Sequence, residues 1–130
     1  MATLDTDILV ALLKGAPEAI EQVRALQDGG KRISTTMITA YELLKGAYIS
    51  SRPDENLAKV RDSISNLQVL ELSFGVAEEA SKIYKELRDK GRLIGEFDIL
   101  IAAMIRFYDE SLVTRDEHFK SISGMKLIRW

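Results

Sequence analysis

Residues 97–108 read FDILIAAMIRFY, which is apolar around nearly the whole circumference of a helix. A helix of that kind has to be buried on most of its sides. The Ala102-Ala103 pair inside it has almost no side chain and lets the helix lie close against a sheet. No apolar run in the chain approaches the roughly 18 residues of a membrane span, so the burial must come from the protein itself.

The rest of the chain supplies the partners for that helix. Residues 2–5 form a short strand, and Ile8 to Leu13 one or two apolar helical turns ended by Lys14-Gly15. Pro17 suits a helix's first turn, and Ile20, Val23 and Leu26 continue at helical spacing until Gly29-Gly30. Residues 31–35 read as a second strand. Thr36 is a plausible N-cap for a helix over Met37 to Ile49, and Pro53-Asp54 opens another with Leu57, Val60, Ile64 and Leu67 on one stripe. Residues 68–72 alternate as a strand. Ser73 to Lys90 is a long amphipathic helix with Val76, Ala80, Ile83, Tyr84 and Leu87 turned inward, closed by Gly91. After the helix at 97–108 come a short strand at 112–114, a turn or short helix at 116–120, and a last strand at 126–129. Strands that alternate with helices indicate a parallel α/β sandwich, in which ligands sit beyond the carboxyl ends of the strands.

At 130 residues this is one domain's worth of chain. The absence of cysteine excludes disulfide scaffolds, thiol nucleophiles and thiolate metal sites, and a single histidine, His118, excludes a site needing two imidazoles. A net charge of -2 does not advertise nucleic-acid binding, though a local basic rim is compatible with it. The first residues, MATLDTDILVALLKG, carry acids where a secretory signal would be basic and then apolar, so a soluble cytoplasmic protein is expected.

Most of the 20 acids suit a solvated helix face. Asp5, Glu42, Asp98 and Asp116 do not. Asp5 ends the first strand, Asp116 follows the strand LVT, Asp98 opens the most apolar helix, and Glu42 lies one turn into a helix that follows a strand. A parallel sheet brings all of them toward one rim. Two carboxylates about 4 Å apart repel by about 4 kcal/mol at an effective dielectric near 20, so such a rim needs either protonation or a divalent cation. Oxygen ligands without Cys suit Mg²⁺ or Mn²⁺ rather than Zn²⁺. The N-terminus of its helix is expected to keep Asp98 ionised.

The stretches LDTDIL, ISTTMITAYELLKGA, GEFDILIAAM and LVTRDEHF resemble, in order and spacing, the motifs of PIN-domain nucleases, and among these the VapC-type toxins of toxin–antitoxin pairs. The resemblance runs essentially end to end. It implies a PIN-like three-layer sandwich, a central mostly parallel sheet flanked by helices, over residues 1–130. It also implies catalytic acids at Asp5, Glu42, Asp98 and Asp116, with Asp5, Asp98 and Asp116 holding Mg²⁺ or Mn²⁺. Thr6 and Thr114 match the family's hydroxyl positions beside the acids. Glu96 stands where small or polar residues are usual, and either supports the metal or answers the helix dipole, the second reading being favoured. Asp7 replaces the commoner asparagine and adds negative charge.

The implied activity is hydrolysis of RNA by metal-activated water, which requires no histidine base. Lys45, Arg92, Arg115 and Lys120 lie near the motifs as phosphate contacts, although a solvated surface role is favoured for each. His118 is read as structural or exposed, and Tyr41, Tyr48 and Phe107 as core or interface. The resemblance further implies a VapB-type antitoxin whose tail crosses the N-terminal helices and points a basic side chain at the acids. Exposed apolar positions around 8–13 and 37–49 suit a homodimer. Three alternatives stand beside this reading. Asp5-Thr6-Asp7 also fits the nucleophile and acid of HAD-class phosphotransferases, although LDTDIL lacks their usual Thr or Val. A receiver-like Mg²⁺-binding module is another, and a PIN nuclease of RNA maturation without an antitoxin the third.

Overall fold

The computed structural model describes residues 1–130 and contains a five-stranded sheet in the order β3-β2-β1-β4-β5. The strands are β1 (Ala2–Leu4), β2 (Ile33–Thr36), β3 (Gln68–Leu70), β4 (Ser111–Thr114) and β5 (Lys126–Arg129). Every neighbouring pair is parallel. The helices between them are α1 (Thr6–Leu13), α2 (Pro17–Asp28), α3 (Met37–Tyr48), α4 (Pro53–Ser65), α5 (Phe74–Asp89) and α6 (Glu96–Phe107), and a 3-10 turn spans Glu117–Ser121. No helix is long and apolar enough to cross a membrane.

Parallel strands need crossovers, and the crossovers cover both faces of the sheet. Side-chain alternation along β4 shows the two layers directly. Leu112 joins α5 and α6 in a core with Val76, Ile83, Leu87 and Phe119, while Val113 joins α1 to α4 in a core with Leu4, Ile8, Leu43 and Val60. Residues 101–105 of α6 are all buried, as a stretch apolar on nearly every side requires, while Phe97 and Phe107 near the ends of the helix are exposed. On β1 the buried Thr3 faces Leu112 in register and shares a 2.8 Å hydrogen bond with Ser34 of β2, which satisfies two polar groups in the interior.

Element boundaries differ from the sequence expectation where a local interaction takes a residue away. Asp5 leaves the first strand because its carboxylate caps α1, so that helix begins at Thr6. The second strand starts only at Ile33, because the Lys31 amide is held to the Leu26 carbonyl (3.0 Å) in the turn around Gly30, whose φ is +81°. The third strand stops at Leu70, and the Glu71 carbonyl accepts from the Tyr108 hydroxyl instead (2.8 Å). Tyr84 does not turn inward. It is 39% exposed, because Ile83 already takes the buried position beside it. Tyr41, Tyr48 and Phe107 are exposed rather than core, and of α1 the residues Ile8 and Leu9 are buried, so the exposed apolar surface expected there is confined to α3.

Candidate active site

Asp5, Glu42, Asp98 and Asp116 come together at the carboxyl ends of β1, β2 and β4. Chain reversal after those strands sets three of them there: Asp5 caps α1, Glu42 lies in the second turn of α3, and Asp116 caps the 3-10 turn, while Asp98 comes from the first turn of α6, which follows α5. The cluster is wired through hydroxyls. The Thr6 amide donates to Asp5 Oδ1 at 2.8 Å, and the Thr6 hydroxyl lies 3.0 Å from Glu42 Oε1 and 3.1 Å from Thr39 Oγ1. The Thr114 hydroxyl donates to Asp5 Oδ2 at 2.7 Å and accepts the Asp116 amide at 3.0 Å. Thr36 holds α3 in place by accepting the Thr39 amide at 3.1 Å.

The electrostatics are those of an unbalanced acidic rim. Asp5 is only 6% exposed, and no basic side chain bonds to it. Burial pushes its carboxyl up to about 6, against the Thr114 hydroxyl and Thr6 amide, with Asp7 and Asp98 adding to the rise. Asp98 is also raised, by burial first and then by Asp116, with His118 pulling the other way and Glu42 adding a further push. The expectation that the α6 N-terminus keeps Asp98 readily ionised is therefore corrected. The acid sits inside the first turn and is half-buried among other acids, so desolvation and like charge outweigh the dipole.

Carboxylate oxygens of Asp98 and Asp116 and Nδ1 of His118 lie within 4.8 Å of one another. Together with Asp5 they offer mainly hard oxygen donors and an excess of negative charge that no basic side chain bonded to Asp5 offsets. That donor set fits a divalent cation.

Other expected residues fall elsewhere. Glu96 opens α6 exposed, lining a shallow depression with Ala80, Ser81, Tyr84, Ile99 and Leu100, and is not part of the cluster. Arg92 is tied to the end of α5, its amide bonding to the Leu87 carbonyl (2.8 Å). Lys120 pairs with Glu117. Arg115 stacks on Trp130. Lys45 stands over the rings of Tyr41 and Phe97, 5.2 and 5.9 Å from their centroids. His118 is exposed as expected, yet its Nδ1 lies 3.1 Å from Asp116 and 3.7 Å from Asp98. Sequence reasoning misses Thr39 and Trp130, and registers Asp7 only as added charge. The helix N-cap spacing from Thr36 to Thr39 is the one signal that points to any of them.

The model of the PIN domain family matches residues 2–125. The chain belongs to the PIN domain family. As a PIN domain it is 31% identical over 128 residues to the tRNA(fMet)-specific endonuclease VapC of Shigella flexneri, and 34% identical over 128 residues to the ribonuclease VapC2 of Haemophilus influenzae. Both alignments cover 98% of this chain and 96% of the relative. Among solved structures, this PIN domain superposes on that of VapBC2 from Rickettsia felis bound to a promoter DNA fragment, with a TM-score of 0.92 at 27% identity, covering 99% of this chain and 98% of that one. DNA-bound VapBC from Salmonella typhimurium gives a TM-score of 0.90 at 32% identity, with coverage of 99% and 97%. The PIN membership displaces the HAD-like and receiver-like alternatives.

Proposed function

We infer that this PIN domain is an endoribonuclease and the toxin of a VapBC-type toxin–antitoxin pair. One observation carries the reading. Carboxylates from four distant stretches meet at one rim, and the most buried of them, Asp5, is left without a basic partner. The names of the VapC relatives and the VapBC complexes point the same way.

In this reading Asp5, Asp98 and Asp116 hold Mg²⁺ or Mn²⁺. The ion, when bound, lowers the pKa of a water and offsets charge on the phosphate. The chain's own residues hold the acids in register. Thr114 bridges Asp5 to the Asp116 backbone, and Thr6 ties the Asp5 carboxylate to Glu42. Glu42, on the far side of Thr6, stands as the acceptor for a proton from the attacking water. Lys45, beside Glu42 on α3, is the cation best placed for an RNA phosphate, because Arg115 and Lys120 are engaged within the protein.

An antitoxin tail has a seat. A groove of about 640 Å³ runs between α1, α3 and α4, lined by Val10, Leu13, Leu43, Ala47 and Val60, and reaches Thr6 and Glu42. An apolar peptide lying there could turn a basic side chain onto the acids and cancel their charge. The exposed Met37, Tyr41, Tyr48 and Ile49 along α3 suit a homodimer face. The reading places the toxin in the cytoplasm as one domain over residues 1–130. The test incubates RNA with wild type, Asp5→Asn and Asp98→Asn in Mg²⁺ or Mn²⁺. Cleavage by wild type alone is expected, and equal cutting by all three would remove the assignment.

A further inference from the structure

Asp7 lies in the first turn of α1, with its carboxylate directed toward the end of β4. Oδ2 accepts the Arg115 amide at 2.7 Å and lies 3.2 Å from the Thr114 hydroxyl. Oδ1 accepts the indole N–H of Trp130 at 3.2 Å. Trp130, just after β5, is in turn fastened to Arg115. The guanidinium sits 3.5 Å from the centre of the indole, and its Nε donates to the Trp130 carbonyl at 2.7 Å. Residues 7, 115 and 130 thus close a ring of hydrogen bonds and stacking at the point where the chain leaves β4.

That ring bears on the acids through Thr114. Its hydroxyl has one proton, and the 2.7 Å distance to Asp5 against 3.2 Å to Asp7 sends it to Asp5. The same oxygen accepts the Asp116 amide. Asp7 takes the amide just before it, that of Arg115. Consecutive peptides leading into Asp116 are therefore anchored, the Asp116 amide to Asp5 by way of the Thr114 hydroxyl and the Arg115 amide to Asp7 directly. No helix does this work, because Asp116 only caps a five-residue 3-10 turn. Both oxygens of Asp7 are occupied by donors from the far end of the chain, Arg115 and Trp130.

We propose that Asp7 is a positioning residue, braced by Trp130 and Arg115, that sets the spacing of Asp5 and Asp116. The effect on cation binding rests on the metal-site reading above; the effect on the 114–116 backbone does not. Partners that orient metal ligands typically contribute about 10–100-fold in affinity.

The test uses the intact protein with Asp7→Ala, Asp7→Asn and Trp130→Phe. Amide exchange at Arg115 and Asp116 is measured without metal, and Mn²⁺ affinity is measured by electron paramagnetic resonance without RNA. Trp130 is the single tryptophan, so its emission reports the brace in the Asp7 variants. Asp7→Ala should speed exchange of both amides about fivefold, the equivalent of one lost hydrogen bond. It should also shift the emission to the red and weaken Mn²⁺ binding about 10–100-fold. Asp7→Asn keeps an acceptor for the Arg115 amide and should recover most of the affinity. Trp130→Phe keeps a ring under Arg115 but loses the indole N–H, and should fall between. Wild-type exchange at 115 and 116 in Asp7→Ala would overturn the proposal, as would an Asp7→Asn as weak for Mn²⁺ as Asp7→Ala. A wild type that binds Mn²⁺ but leaves RNA intact would sink the ribonuclease reading and leave the brace standing. A wild type that binds no Mn²⁺ would sink the metal reading, and the exchange rates would still decide the brace.

Discussion

Replacing Asp5 by asparagine should stabilise the metal-free protein while destroying its activity. The magnitude follows from the buried carboxyl, whose pKa rises from 3.8 to about 6. A shift of that size corresponds to about 3 kcal/mol of preference for the neutral form. The sign is set by which state protonates more easily. Below about pH 4 the group is neutral in both folded and unfolded chains and costs nothing. As pH rises through the window between 3.8 and about 6, the unfolded chain ionises first and the native state loses stability. Above that window the native state carries the full penalty. Asparagine is neutral throughout. Its carbonyl can keep the Thr6 amide, its amide can donate to the Thr114 hydroxyl, and it caps a helix as well as aspartate. Urea unfolding in EDTA at pH 8 should therefore show Asp5→Asn more stable than wild type by up to about 3 kcal/mol, the gap closing by about pH 4. Mn²⁺ at about a hundred times its Kd should then add about 2.7 kcal/mol to wild type and far less to the variant. A less stable variant at pH 8, or a gap that ignores pH, would refute the reasoning.

Phe119→Ala should cost about 3–5 kcal/mol by urea unfolding, because the ring is fully buried in the α5–α6 core and its removal leaves a cavity. Gly91 closes α5 with φ +68°, and the next amide bonds back to the Leu87 carbonyl (2.8 Å), so Gly91→Ala should lower stability by about 1–2 kcal/mol in the same assay. Lys45→Ala should raise KM for RNA about fivefold while changing kcat little, as loss of one phosphate contact implies, and an unchanged KM would remove Lys45 from the RNA path.

Patterns that repeat locally are legible in the amino-acid sequence. FDILIAAMIRFY announces a helix buried on most of its sides, and the alternation of short strands with helices announces the parallel sheet. The four acids are legible because each sits just past a strand end or early in a helix, and a parallel sheet gathers those positions. Strand limits are less so, because Asp5, Lys31 and Glu71 are drawn off by single hydrogen bonds that hydrophobic patterning does not register. The raised pKa of Asp98 escapes a sequence reading because the helix end is visible there while the neighbouring acids and their burial are not. Asp7 and Trp130 bond across 123 positions, and nothing near either residue marks the other.

The parallel sheet places β1 at its centre, flanked by β2 and by the much later strand β4. Asp5 meets Thr114 across 109 positions, so the cleft cannot exist until the chain has been made past Thr114 and β4 has docked beside β1.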